Sequence, residues 1–212
     1  MQKPCVDPPE HMLGPWQGQA FAELGFIVVN IDGWGTPLRS REFHHYSHNN
    51  LQSGGGLEDH IAVIKQLSKK YSYMDTERIG IIGWSQGGYA ATRALLAYPD
   101  FYKVGVSFAG DHELRTYLSF WGEKVQGLGD DTCYYAYSNC KLAHKLEGKL
   151  FLIHGELDDN VHPSNTMQMV NALIKADKDF DMLLVPNENH SGFSANPYVI
   201  RRMWEYLVEH LK

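Results

Sequence analysis

The sequence predicts an α/β domain, a mostly parallel sheet covered by helices on both faces. Two observations carry that expectation. Short, nearly continuous apolar runs at 26–31, 78–82, 104–109, 149–154 and 181–185 alternate with segments whose apolar residues recur at three- and four-residue steps. This is the pattern of buried parallel strands joined by crossover helices. One of those runs also meets its helix across Gly83-Trp84-Ser85-Gln86-Gly87, which places a serine at the apex of a strand-to-helix turn. A chain of 212 residues is long enough to bury a core as one domain.

Composition narrows the function classes. Lysine and arginine number 19 against 25 acids, a formal charge of -6, so no cationic surface is expected for nucleic acid or an anionic membrane. No apolar run reaches the length of a membrane span, and residues 1–14 lack the basic and apolar regions of a signal peptide. The chain therefore reads as soluble, its compartment unassigned. Cys5, Cys133 and Cys140 have neither metal-ligand spacing nor an even count; free thiols are expected, with a Cys133–Cys140 disulfide left open. His44, His45 and His48 sit in a polar stretch without a carboxylate or cysteine at ligand spacing, so neither a metal nor another cofactor is expected.

In chain order, the three prolines between Lys3 and Glu10 make 1–14 an irregular N-terminal segment, and 15–212 the α/β domain. Pro15 and Gly25 bracket a short helix with Trp16, Ala20 and Leu24 on one face. Phe26–Ile31 is expected as a buried strand, and 32–56 as a long surface connection. Leu57, Ile61, Ile64, Leu67 and Tyr71 define an amphipathic helix, with Glu58 and Asp59 at its start and Lys69 and Lys70 at its end. The serine-bearing strand and helix follow, then a strand at 104–109. An irregular, partly helical excursion at 111–148 carries Tyr117, Phe120, Trp121, Tyr134, Tyr135 and Tyr137. Its aromatics suit a pocket wall and packing onto the body equally well. The strand at 149–154 leads into Gly155–Pro163 and a helix burying Met167, Val170, Leu173 and Ile174. The last strand is 181–185, the loop 186–196 carries His190, and a helix over 197–211 turns Ile200, Met203, Trp204, Leu207 and Leu211 inward.

A serine hydroxyl needs a base within hydrogen-bond reach and an acid to orient that base. Ser85, the Asp158-Asp159 pair and His190 each fall just past a strand's C-terminal end, in the Ser, Asp, His order of the α/β-hydrolases. Gly83 and Gly87 are expected where strand and helix crowd together, and the Gln86 N–H is aimed where a carbonyl substrate develops negative charge. His154 is expected to be packed at its strand end, and His162 to serve the following helix N-terminus.

Gly83-Trp84-Ser85-Gln86-Gly87-Gly88-Tyr89, His154-Gly155-Glu156-Leu157-Asp158-Asp159-Asn160-Val161-His162 and Asn189-His190 resemble the catalytic domain of the prolyl oligopeptidase family of serine peptidases, in its dipeptidyl peptidase IV branch. The resemblance runs from Trp16 to Leu211. It implies peptide substrates cut after proline or alanine at the second position, with Asp158 rather than Asp159 as the acid and no cofactor. It also implies a proline-accepting pocket lined by Asn160 and Val161 together with Tyr117 and Trp121, and it leaves a homodimer open. This sequence departs from the family in three respects: the N-terminal β-propeller is absent, the strand bearing the oxyanion tyrosine is absent, and Gln86 stands where a tyrosine often follows the nucleophile. The expectation is an N-terminally truncated peptidase domain that is poorly stable or nearly inactive alone. A small carboxylesterase of the same fold and a catalytically silent binding domain are the alternatives.

Overall fold

The structure, a computed structural model, describes residues 18–36, 38–53, 56–128 and 131–212. Helix α1 (Gly18–Glu23) comes first, then α2 (Arg41–His45) and α3 (Leu57–Lys70). Strand β1 (Ile79–Trp84) runs into α4 (Gln86–Ala97) and β2 (Tyr102–Phe108). The excursion holds α5 (Ser119–Gln126), α6 (Asp131–Tyr137) and a 3-10 segment, Asn139–Lys145. Then come β3 (Lys149–Gly155), α7 (Ser164–Lys175), β4 (Asp181–Val185) and α8 (Pro197–Leu211). Among the described residues no helix is long and apolar enough to cross a membrane.

The four strands form one parallel sheet in the order β1-β2-β3-β4, so every carboxyl end lies along one rim, where loops can converge. Alternation along each strand builds two cores. Val104, Val106, Phe108, Phe151 and Ile153 pack with Met203, Tyr206 and Leu207 of α8 and Phe21 of α1. Leu150 and Leu152 face the opposite way, onto Leu95 and Leu96 of α4 and Met169 and Leu173 of α7. A third cluster joins Tyr89 and Ala90 of α4 to Leu114 and Tyr137 of the excursion, with Tyr117, Trp121 and Tyr134 against it. The excursion thus lies over the start of the helix that follows Ser85, and part of its aromatic content is spent on packing.

The structure corrects the sequence reading at 26–31, in the connection 32–56 and on α7. Residues 26–31 join no ladder among the described residues, and Ile27 and Val28 are exposed. An apolar run becomes a strand only when a neighbour accepts its backbone groups, and among the described residues β1 is the sheet's edge. Helix α1 is described only from Gly18, so Pro15 and Trp16 lie outside the described residues, as do the irregular segment 1–14 and Cys5. The connection 32–56 contains α2, capped by the Ser40 hydroxyl, which accepts from the Phe43 N–H. On α7, Met167 and Ile174 are exposed, while Met169, Val170 and Leu173 are buried beside Asn165 and Thr166. The inward stripe includes two polar residues because both find partners in the interior, which shifts the helix by about one residue relative to its apolar positions. Cys133 and Cys140 are not disulfide-bonded.

Candidate active site

Ser85 links β1 directly to α4 and sits at φ 60, ψ -121, a conformation costing about 1–3 kcal/mol for a non-glycine residue. Two hydrogen bonds hold it there: the Ser85 N–H donates to the Phe108 carbonyl of β2 at 2.8 Å, and the Ser85 carbonyl accepts from the Tyr89 N–H at 3.0 Å. The glycines around it are not equivalent. A Cβ at Gly83 would run into the backbone of Gly87, and one at Gly88 would meet the Phe108 carbonyl oxygen at 2.5 Å. At Gly87 a Cβ would meet nothing within 4 Å. The expected crowding is real but falls on Gly83 and Gly88; Gly87 supplies the backbone against which Gly83 is pressed. Gln86 begins α4, where helix N–H groups lack intrahelical acceptors and face the positive end of the dipole.

The acid lies in the turn that leaves β3. Asp158 is 2% exposed, whereas Asp159 is exposed. Asp158 Oδ1 accepts from the Asn160 and Val161 N–H groups, both at 2.9 Å. Its Oδ2 lies 2.7 Å from His190 Nδ1 and 3.1 Å from His154 Nε2. Burial alone would raise the Asp158 pKa, but hydrogen bonds from both histidines and the Asn160 N–H outweigh it and hold the carboxyl well below the usual range. With Nδ1 turned to Asp158, Nε2 is the His190 ring nitrogen left for another partner.

For His154 the sequence predicts only packing at its strand end. It is fully buried, and it also secures the acid: Nε2 faces the Val161 carbonyl at 2.8 Å as well as Asp158, while Nδ1 pairs with the Thr166 hydroxyl at 2.7 Å. Two acceptor oxygens around Nε2 place the hydrogen there. His162 Nδ1 accepts from the Ser164 N–H at 3.2 Å, at the N-terminus of α7.

Contacts between loops bring His190 to the serine side. The Trp84 indole N–H donates to the His190 carbonyl at 2.9 Å, and the two rings lie 5.2 Å apart. Asn189 Oδ1 accepts from the Ser191 and Gly192 N–H groups, closing the turn that carries the imidazole. The Leu157 N–H donates to the Glu188 carbonyl at 2.9 Å, tying the Asp158 turn to the same loop. Trp84 immediately precedes the serine, and its position in the pentapeptide was the one sequence signal of this role.

Of the expected pocket residues, Tyr117 donates its hydroxyl to Asn160 Oδ1 at 2.7 Å. Trp121 packs edge-on against Tyr117, with ring centroids 5.4 Å apart. Val161 is fully buried and meets the site through its N–H to Asp158. Behind Gln86 lies a polar cluster with no sequence signal of its own. Tyr137 Oη is 3.1 Å from Gln86 Oε1 and 2.8 Å from Asp111 Oδ2. Burial pushes Asp111 up to about 7 against the opposing Tyr137 hydrogen bond, and burial pushes the neighbouring His112 down to about 3.

Comparison with known proteins follows the same lines. Residues 12–212 match the prolyl oligopeptidase family. Dipeptidyl peptidase 8 of Homo sapiens is 32% identical over 178 residues, covering 80% of this chain and 19% of that protein. Prolyl endopeptidase FAP of Mus musculus is 31% identical over 190 residues, covering 85% of this chain and 25% of that protein. The crystal structure of Porphyromonas gingivalis dipeptidyl peptidase 4 matches with a TM-score of 0.78 at 32% identity, over 85% of this chain and 26% of that one. The chain therefore spans about a quarter or less of the length of these relatives. Its fold is that of their α/β-hydrolase domains, and with a family match over nearly its entire length, this chain belongs to the prolyl oligopeptidase family.

Proposed function

We propose that this chain is the catalytic domain of a serine peptidase that cleaves peptide bonds through Ser85, His190 and Asp158. The observation that carries the reading is the strained Ser85 turn joined through Trp84 to a histidine whose Nδ1 is bound by a buried, fully occupied carboxylate. In the first half-reaction His190 Nε2 accepts the Ser85 proton as Oγ bonds to the substrate carbonyl carbon. The Asp158 carboxylate stabilises the imidazolium, and the Gln86 N–H stabilises the oxyanion. The imidazolium then protonates the leaving amine as the C–N bond breaks. In the second half-reaction His190 takes a proton from water, which attacks the acyl-enzyme and releases the acid with Ser85 restored.

The relatives named dipeptidyl peptidases and prolyl endopeptidase support peptides as substrates. Tyr117, Trp121, Asn160 and Val161 are the residues proposed to accept the side chain before the scissile bond, with the preference for proline following the relative named prolyl endopeptidase. A β-propeller that gates access and a homodimer belong to the same proposal for the full-length protein.

The test is labelling with a fluorophosphonate probe, on protein shown to be folded by circular dichroism. Labelling of wild type that disappears in both Ser85→Ala and His190→Ala supports the reading, and Xaa-Pro amide and ester substrates then separate peptidase from esterase turnover. Failure of folded wild type to label would overturn it and favour a silent binding domain.

A further inference from the structure

We propose, on the reading of Ser85 as the nucleophile, that Asp111 is a positioning residue for the active site: through the Tyr137 hydroxyl, its carboxyl sets the orientation of the Gln86 amide beside the serine.

Tyr137 cannot yield. Its ring stacks on Tyr89 at 4.0 Å and 6°. Its carbonyl accepts from the Tyr89 hydroxyl at 2.8 Å, and Arg93 donates to the adjoining Ala136 carbonyl at 3.0 Å. The phenol oxygen is therefore a fixed point between two acceptor oxygens, Asp111 Oδ2 and Gln86 Oε1. A phenol has one hydrogen to donate. When Asp111 is neutral, its O–H donates to Tyr137 Oη and the Tyr137 O–H donates onward to Gln86 Oε1, so both short contacts are filled. When Asp111 loses its proton to solvent, the Tyr137 O–H must turn to the carboxylate. Gln86 Oε1 then faces a lone pair, and the amide must turn over to present Nε2 instead.

Two buried polar atoms without a partner mark the same spot, Gln86 Nε2 and Asp111 Oδ1. Gln86 is 8% exposed and Asp111 2%, so water does not easily substitute. The consequence reaches the chemistry because Gln86 follows Ser85 directly and its backbone N–H is the oxyanion donor. Anchoring Oε1 fixes the first residue of α4, and releasing it loosens the donor. Among the described residues, the titratable groups that face Asp111 are Tyr137 from α6, Tyr89 from α4, Tyr117 from the excursion and His190 from the loop after β4. The three phenols stay neutral near pH 7, since each is shifted upward. Asp111 is therefore the group whose proton sets the direction of the chain, and raising the pH through about 7 reverses it.

Two measurements on the 212-residue chain test this. The first is the side-chain 15N–1H resonance of Gln86, assigned by its loss in Gln86→Leu and followed from about pH 5 to about pH 9. It is expected to titrate near neutrality in wild type and to stay constant in Asp111→Asn, whose amide can donate to Tyr137 but has no proton to lose. A resonance with no titration in wild type would overturn the proposal, whether or not the enzyme labels. The second is the fluorophosphonate labelling rate. The ratio of the Asp111→Asn rate to the wild-type rate is expected to rise about threefold to tenfold between about pH 6 and about pH 8.5, the weight of one hydrogen bond. Taking the ratio cancels whatever pH dependence the two proteins share. A ratio independent of pH, with labelling intact, would overturn the inference and leave the Ser85 reading standing. Absence of labelling at every pH would overturn the Ser85 reading, and the Gln86 resonance would still decide the direction of the chain.

Discussion

Two apolar runs of this molecule, Phe26–Ile31 and Leu150–Ile153, are close to interchangeable on paper and have opposite fates in the fold. Leu150–Ile153 lies between β2 and β4, paired on both edges and buried to within 1% of full enclosure. In the other run Ile27 is 52% exposed and Val28 39%, and among the described residues the edge strand β1 is paired only with β2. Composition does not separate them. The difference is the presence of neighbours that accept backbone hydrogen bonds on both sides, because a buried peptide group without a partner costs more than its side chain gains. The candidate site follows the enclosed run: Asp158 leaves β3, and His190 leaves β4, which pairs with it.

The largest expected consequence is in native-state hydrogen exchange. Amides of Leu150–Ile153 should exchange only through global unfolding, and those of 27–31 faster by orders of magnitude. Equal protection would break the comparison and mean that the second run finds a partner in solution. Next comes core truncation. Phe151→Ala should cost about 3–5 kcal/mol in urea denaturation, whereas Ile27→Ala should stay within about 0.5 kcal/mol.

A smaller and more local contrast lies at the elbow. Gly83→Ala presses a methyl group into the Gly87 backbone, so it should lower the melting temperature and suppress probe labelling together. Gly87→Ala, with open space around it, should leave the melting temperature near that of wild type. The smallest effect is in the acid limb of stability. Asp158 has a depressed folded-state pKa, so its contribution is present above the unfolded carboxylate value of about 3.9 and is lost as the pH falls through it toward the folded value. Melting temperatures of Asp158→Asn should therefore decline less steeply below about pH 4 than those of wild type. Parallel slopes would show that the hydrogen bonds around Asp158 do not favour its charged form.

Much of this is legible in the sequence alone. β3, β4 and α8 fall where periodicity puts them, within one residue at each end, because a short continuous apolar run and a helix with a continuous apolar stripe leave few alternative readings. Asp158 could be preferred to Asp159 only through family resemblance; in the structure Asp158 is buried and Asp159 exposed. The Ser85 turn was legible from its glycines, yet which of them is sterically required was not. That depends on where the α4 backbone passes, at Gly83 and Gly88 but not at Gly87.

What the sequence determined by itself is the alternation of strands and helices, the serine at a strand-to-helix apex, and the order in which an acid and a histidine follow it. These are local properties of hydrophobic period and turn chemistry. Only the tertiary structure decided that 26–31 joins no ladder among the described residues, that His154 supports Asp158, that Trp84 holds the His190 loop, and that Tyr137 joins Asp111 to Gln86. Each of these is a contact between segments distant in sequence or a turn's closure on itself. A side chain's partner is set by packing in three dimensions, and no residue spacing along the chain encodes it.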